Sequence, residues 1–248
     1  MAGPSDWDVA TLAAKLAAGT RPAVRRRTPP RAKGPTTLPE PSADRSSDTA
    51  AMAPQLAYGR HRGPARDRCR HAAVAITFYR RPATGWTIPL TRRPTTMRHH
   101  GGQICFPGGR LHPGETATQA ACREFQEELG LPAKVICEIG QLPSLYVYAS
   151  DHLVAPVVMI LEIPDEPWQP DPAEVDEVID LPVEAITASA QIVRSIRRTR
   201  LTGGDGKSRE DRRPLEIRFH APAYAWESHR IWGATAILLD HLARTLRR

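Results

Sequence analysis

Gly109-Arg110-Leu111-His112-Pro113-Gly114-Glu115-Thr116-Ala117-Thr118-Gln119-Ala120-Ala121-Cys122-Arg123-Glu124-Phe125-Gln126-Glu127-Glu128-Leu129-Gly130-Leu131 is the stretch on which the reading of this chain turns. Thr116 followed three residues later by Gln119 matches a capping box, which sets a helix N-terminus at Thr116. Gly130 supplies a C-terminal stop and Pro132 forbids continuation, so the spacing predicts a helix over 117–129. At 100° per residue, Ala121, Cys122, Phe125 and Leu129 share one arc, which docks on a sheet. Glu124, Glu127 and Glu128 share the neighbouring arc. Three carboxylates gathered there repel one another, and a helix gains nothing from that by itself. A hard divalent cation, Mg²⁺ or Mn²⁺, resolves the conflict because it takes oxygen ligands and neutralises them.

A Glu-rich helix is more often a solvated acidic face, and here the spacing decides otherwise. The segment resembles the box of the Nudix hydrolases, G-x5-E-x7-R-E-U-x-E-E-x-G-U with U a bulky apolar residue, and every fixed position is present. Seven fixed residues at about one in fifteen each make a chance match on the order of one in 10⁸ per starting position. The resemblance implies a Nudix fold, a mixed β-sheet sandwiched between helices in an α/β/α arrangement. It implies hydrolysis of a diphosphate joined to another moiety, with a metal-activated water attacking phosphorus. Residue by residue, it makes Glu124 and Glu128 the main metal ligands and Glu127 a third ligand or the base. The carbonyl of Gly108 or Gly109 joins the metal shell. Gly109 and Gly130 are structural box positions, and Glu115 and Arg123 form a structural pair holding the loop against the helix.

The preceding residues narrow the substrate. Leu90, Thr91, Arg93, Arg98, Gly102 and Phe106-Pro107-Gly108-Gly109 resemble the extension L-L-T-x-R-[SA]-x3-R-x3-G-x3-F-P-G-G that marks coenzyme A diphosphatases. Pro89 and Pro94 depart from it, and Pro94 reshapes the loop. His100-Gly101-Gly102-Gln103-Ile104 is similar to the H-x-G-Q-[IV] of that subfamily. Coenzyme A carries a 3′-phosphate besides its diphosphate and needs several cationic donors. Arg92, Arg93 and Arg98 are candidates for that role, with Gln103, His99 and His100 as orienting groups. The alternatives are another nucleoside diphosphate derivative such as ADP-ribose, or a nucleotide sensor of the same fold that does not cleave. The sensor has no need of the three carboxylates present here.

Outward from the box, His71 is where order is expected to begin. Ala72 to Phe78 and Trp86 to Thr91 read as strands flanking a turn. Val135 to Gln141 and Val154 to Ile163 read as further strands, and Val178 to Pro182 as a strand leading into a short helix. Ile192 to Leu201 and Pro214 to His220 flank Gly203-Gly204-Asp205-Gly206 as a hairpin. A closing helix is expected from about Ile231 to Leu246. Ala155-Pro156-Val157-Val158, Glu174-Val175-Asp176-Glu177-Val178 and Ile231-Trp232-Gly233-Ala234-Thr235-Ala236 are similar to segments of the same subfamily. Glu174 and Glu177 are candidates to reach the metals, though a surface or capping role is favoured.

The expected organisation is one Nudix domain over 71–248 behind a basic, Pro/Arg/Ala-rich arm over 1–70 that is largely disordered. Within that arm, 7–18 can form a short helix with Val9, Leu12, Ala13 and Leu16 on one face. The arm carries 13 Lys and Arg against 6 Asp and Glu, which accounts for the whole formal charge of +7. The stretch 71–248 is therefore neutral, which argues against nucleic acid as a partner of the folded part. The implied partner is a small-molecule substrate. No run of about 20 apolar residues is present to span a membrane. Four cysteines without C-x-x-C spacing read as reduced thiols in a cytoplasmic protein. The pattern leaves a homodimer open.

Overall fold

The computed structural model describes residues 3–22, 65, 67–97, 100–147, 150–162, 166–187, 192–201 and 215–248, with backbone alone between 192 and 222. After a 3-10 turn at Pro4–Asp6 come α1 (Val9–Ala17), β1 (Arg70–Arg81), β2 (Gly85–Arg92), β3 (Ile104–Cys105) and β4 (Gly108–Arg110). Next are α2 (Ala117–Leu129), β5 (Lys134–Gln141), β6 (Leu145–Val147), β7 (His152–Glu162), β8 (Glu177–Pro182) and α3 (Val183–Thr187). The chain closes with β9 (Ile192–Leu201), β10 (Leu215–Trp226), β11 (His229–Ile231) and α4 (Ala234–Leu246). Among the described residues no helix is long and apolar enough to cross a membrane.

β1 organises the sheet. Over Arg70–Phe78 it runs parallel to β7, and it changes partner on its other edge, pairing antiparallel with β4 at Ala72–Val74 and with β2 at Tyr79–Arg81. β8 and β3 flank β2, while β5 and β6 pair with β7. Successive side chains alternate faces. Ala73 and Ala75 therefore meet Ala121, Phe125 and Leu129 of α2, and their small size lets the helix lie close. Ile76 and Phe78 point the other way, into a larger core shared with Trp86, Ile88, Leu90, α3 and α4. Helices thus cover both faces, and the expected α/β/α sandwich is what is seen.

α2 has the predicted ends. Thr116 Oγ1 accepts from Gln119 N–H at 3.2 Å, and Gln119 Oε1 accepts from Thr116 N–H at 2.9 Å. Gly130 terminates it in the left-handed region (φ 73°), and a Cβ there would fall 2.0 Å from the Gln169 carbonyl oxygen. Gly130→Ala thus combines left-handed strain of about 1 kcal/mol with a backbone clash. Urea unfolding should show a loss of about 2 kcal/mol or more, in the range of substitutions that strain a special backbone site. A change below about 0.5 kcal/mol, the size of an ordinary surface substitution, would show that the strap of Gln169 is not held there.

Two expectations change. α4 begins at Ala234, not Ile231: Ile231 ends β11 opposite Tyr224, and Gly233 (φ 71°) separates strand from helix. The boundary at 71 also moves, because the segment 3–22 belongs to the packed body. Asp8 caps α1 by accepting from Thr11 N–H at 2.7 Å. Trp7, Leu12 and Leu16 are buried in the main core, while Val9 stands at 39% exposure. Trp86 Nε1–H donates to the Trp7 carbonyl at 2.8 Å, and Arg21 and Gln141 exchange backbone hydrogen bonds of 2.8 and 2.9 Å. The rest of the expected arm over 23–64, and the hairpin tip Gly203–Gly206, lie outside the described residues.

Candidate active site

Burying one stripe of α2 against β1 leaves the neighbouring stripe along the β4 edge, and the three carboxylates there meet different fates. Glu128 is 4% exposed. Its Oε2 accepts from Thr91 Oγ1–H at 3.0 Å, and the carboxylate also accepts from the Gly108 N–H. Burial nonetheless pushes its pKa up to about 7, with Thr91, Gly108 and the Arg93 cation opposing and the Glu124 charge adding. Glu124 is half-buried beneath Gly109, where an added Cβ would fall 2.3 Å from its Oε1. Burial raises Glu124 above the ordinary carboxylate range; Arg123 opposes, while the charges of Glu127 and Glu174 raise it further. Glu127 is 54% exposed.

Backbone alternation adds an oxygen donor. Ala75 N–H donates to Pro107 O and Leu111 N–H to His71 O, so the bonded pairs of this ladder fall at 75/107, 73/109 and 71/111. Gly108 then sits in a non-bonded pair, with its N–H and C=O turned away from β1. Of the two carbonyls left open by the sequence, this favours Gly108.

Arg123 does more than the expected pairing. Its Nε lies 2.9 Å from Glu115 Oε1, its Nη2 donates to Glu115 Oε2 (3.2 Å) and to the Arg110 carbonyl (3.0 Å). Glu115 accepts in addition from His112 N–H at 2.8 Å. Arg123 thereby clamps the 110–115 loop to α2 and holds the Glu115 carboxyl below its usual range. Its Nη1 also donates to Glu124 Oε1 and Glu127 Oε2, each at 2.8 Å.

Among the described residues no three His, Cys, Asp or Glu side chains converge closely enough to hold a metal ion. Arg123 draws Glu124 and Glu127 to one side, while Thr91 and Gly108 draw Glu128 to the other. The donor chemistry still suits Mg²⁺ or Mn²⁺: a buried carboxylate of raised proton affinity, a half-buried one beside it, and a carbonyl facing away from its ladder, all hard oxygen. Gly109→Ala tests this packing. The new methyl displaces the end of a flexible side chain, so thermal stability is expected to change little. Mn²⁺ affinity should fall by roughly tenfold or more, as for a lost supporting contact. Unaltered Mn²⁺ binding would separate Glu124 from the site.

The upstream loop closes on the same spot. Arg93 N–H donates to Gln103 O and Gly102 N–H to Arg93 O, making a neck at 93/103 beside Glu128. Gln103 Oε1 accepts from His100 Nδ1 at 2.8 Å. Arg98 and His99 lie outside the described residues. The Arg92 guanidinium, a candidate substrate contact, is bound by Asp176 and Glu177. One contributor was given no role from sequence. The Thr91 hydroxyl lies in the quoted motif without a signal of its own. Glu174 reaches Glu124 electrostatically because Gln169 N–H, bonded to Leu129 O, and Asp176 N–H, bonded to Arg92 O, strap its loop across the end of α2.

A family model described as NUDIX domain matches residues 70–199. The Nudix hydrolase NudL of Photorhabdus laumondii is 33% identical over 180 residues, covering 72% of this chain and 86% of its own. Nudix hydrolase 3 of Caenorhabditis elegans is 32% identical over 164 residues, covering 64% of this chain and 66% of its own. A solved MutT protein of Methanosarcina mazei Go1 is 20% identical over 47% of this chain and 79% of its own, with a TM-score of 0.38, too loose an overlap to carry an argument. A domain match that opens on the first residue of β1, contains the whole of the α2 box and ends within β9 has one meaning: the chain belongs to the Nudix family.

Proposed function

We propose that this chain is a metal-dependent pyrophosphohydrolase that splits the diphosphate of coenzyme A or an acyl-coenzyme A. The products are 3′,5′-ADP and 4′-phosphopantetheine or its acyl form. The observation that supports this reading is that Thr91 and Arg93, two residues of the coenzyme A-like motif, lie beside the buried carboxylate of Glu128. Relatives bearing the name Nudix hydrolase support the reaction class.

Glu124, Glu128 and the Gly108 carbonyl would hold Mg²⁺ or Mn²⁺, with Glu127 at the rim. When bound, such an ion lowers the pKa of a water and neutralises charge on the phosphate oxygens. The side chains do the rest. Thr91 and the Gly108 N–H fix the Glu128 carboxylate so that it needs no reorganisation. Arg123 fixes Glu124 and Glu127 from the opposite side. Glu127, the most exposed of the three, takes the proton of the attacking water at its carboxylate. Arg93, with Arg98 and Gln103 from the loop, binds and orients phosphate oxygens.

Incubating the purified full chain with coenzyme A and Mg²⁺ or Mn²⁺, beside ADP-ribose and the Glu124→Gln and Glu128→Gln variants, tests this. Release of 3′,5′-ADP that requires metal and is lost in both variants is expected. Cleavage of ADP-ribose alone would sink the coenzyme A assignment and keep the pyrophosphohydrolase. Cleavage surviving in both variants would move the chemistry elsewhere.

A further inference from the structure

Strand alternation puts Thr91 and Arg93 on one face of the end of β2 and Arg92 on the other. The first two face Glu128: Thr91 by a 3.0 Å hydrogen bond, Arg93 by proximity of charge. Arg92 is taken up behind them. Its Nε and Nη2 reach Asp176 Oδ2 at 3.0 and 2.9 Å, and its Nη1 reaches Glu177 Oε2 at 3.0 Å. That same Glu177 oxygen accepts from His229 Nε2 at 3.1 Å, a mostly buried ring on β11. Asp176 N–H donates to the Arg92 carbonyl at 2.8 Å, and Glu177 stands opposite Arg92 in the β2–β8 ladder. A phosphate arriving at Arg92 would have to displace two carboxylates.

We infer that Arg92 is a positioning residue rather than a substrate contact: its clamp on Asp176 and Glu177, backed by His229, locks the end of β2 so that Thr91 holds the Glu128 carboxylate in place. The inference rests on the reading of Glu128 as a metal ligand. Each of these ion pairs is about a third or more exposed and adds little to stability. Their effect is geometric, in the way that groups behind a metal ligand orient it. Lysine cannot replace the arginine, because a single ammonium does not present the planar fork that reaches both carboxylates.

The test compares Arg92→Ala, Arg92→Lys and Asp176→Asn in the full chain. Calorimetric Mn²⁺ titration of the metal-free protein is one arm. Hydrolysis of coenzyme A and of dephospho-coenzyme A, which lacks the 3′-phosphate, is the other. All three variants are expected to bind Mn²⁺ about tenfold more weakly and to lose about tenfold in kcat. KM should stay within about threefold and the preference between the two substrates should be unchanged, because no phosphate contact is removed. A rise in KM for coenzyme A alone in Arg92→Ala, with Asp176→Asn neutral, overturns the inference and makes Arg92 a 3′-phosphate contact. Wild-type Mn²⁺ affinity in all three overturns it too, as does a parent protein that binds no Mn²⁺. If the parent cleaves neither substrate, the coenzyme A reading fails, and the Mn²⁺ arm alone decides the role of Arg92.

Discussion

Glu128→Gln is expected to lower kcat/KM on the diphosphate substrate on the order of 10³-fold, while making the metal-free protein more stable above neutral pH. The first half follows from the loss of the anionic ligand proposed above, since a bound divalent ion contributes several kcal/mol of charge stabilisation in the transition state. The second half follows from burial. The folded Glu128 carboxyl titrates at about 7, against an ordinary value of 4.5. Below pH 4.5 the group is neutral in both folded and unfolded chains. As pH rises from there through 7, the unfolded chain gives up its proton first, and the folded state is progressively destabilised. The whole effect amounts to about 3 kcal/mol in the metal-free protein and is complete near pH 8. Mg²⁺ or Mn²⁺ reverses it by binding the ionised form, so metal should raise Tm more at pH 8 than at pH 5. Glutamine keeps an acceptor for Thr91 and the Gly108 N–H without a charge, and should remove the Glu128 share of the pH slope and weaken the metal effect. Equal metal-induced shifts in Tm at the two pH values, or a variant that keeps the parent slope, would exclude Glu128 as the coupled group.

How far this site was legible in the sequence depended on the range of the forces involved. The ends of α2 were readable because they are local: Thr116 bonds Gln119 three residues away, and Gly130 adopts its left-handed turn whatever lies beyond. The stripe of Glu124, Glu127 and Glu128 was readable because helical geometry fixes it. Which of the three is buried was not, since that depends on Thr91 and Gly108 arriving from β2 and β4. Arg92 and Arg93 looked alike as neighbouring cations; only the pairing of β2 with β8 brings Asp176 and Glu177 against one of them. The start of α4 was misplaced for a related reason. Ile231 is as buried as the helix positions after it, so an apolar period runs unbroken across the turn at Gly233. The helix in 7–18 was visible, but nothing local to it announces that α4 and Trp86 are its partners.

That last point carries the second large effect. Removing residues 1–22 is expected to cost most of the stability of the protein, although the segment lies well outside the family match of 70–199. Trp7, Leu12 and Leu16 are buried in the main core beside residues of α4. Burying side chains of this size is worth about 1.5–3 kcal/mol each, so losing three removes about 5 kcal/mol or more. Trp86 and the inner face of α4 would be opened to water at the same time. Against a typical total of about 5–15 kcal/mol this leaves little, and for a chain of this length it corresponds to a fall in Tm of roughly 10–20 °C. Leu12→Ala and Leu16→Ala should each cost about 2–5 kcal/mol in the full chain. Val9→Ala, at the exposed edge of the same helix, should stay within about 0.5 kcal/mol. The contrast separates docking of α1 from mere helix formation, because alanine at all three positions favours the helix. A 23–248 fragment with parental Tm and no binding of an apolar dye would mean that α1 is dispensable to the core. Because these side chains lie in the core across the sheet from α2, whatever fraction of the fragment remains folded should keep the parental KM for substrate and affinity for Mn²⁺.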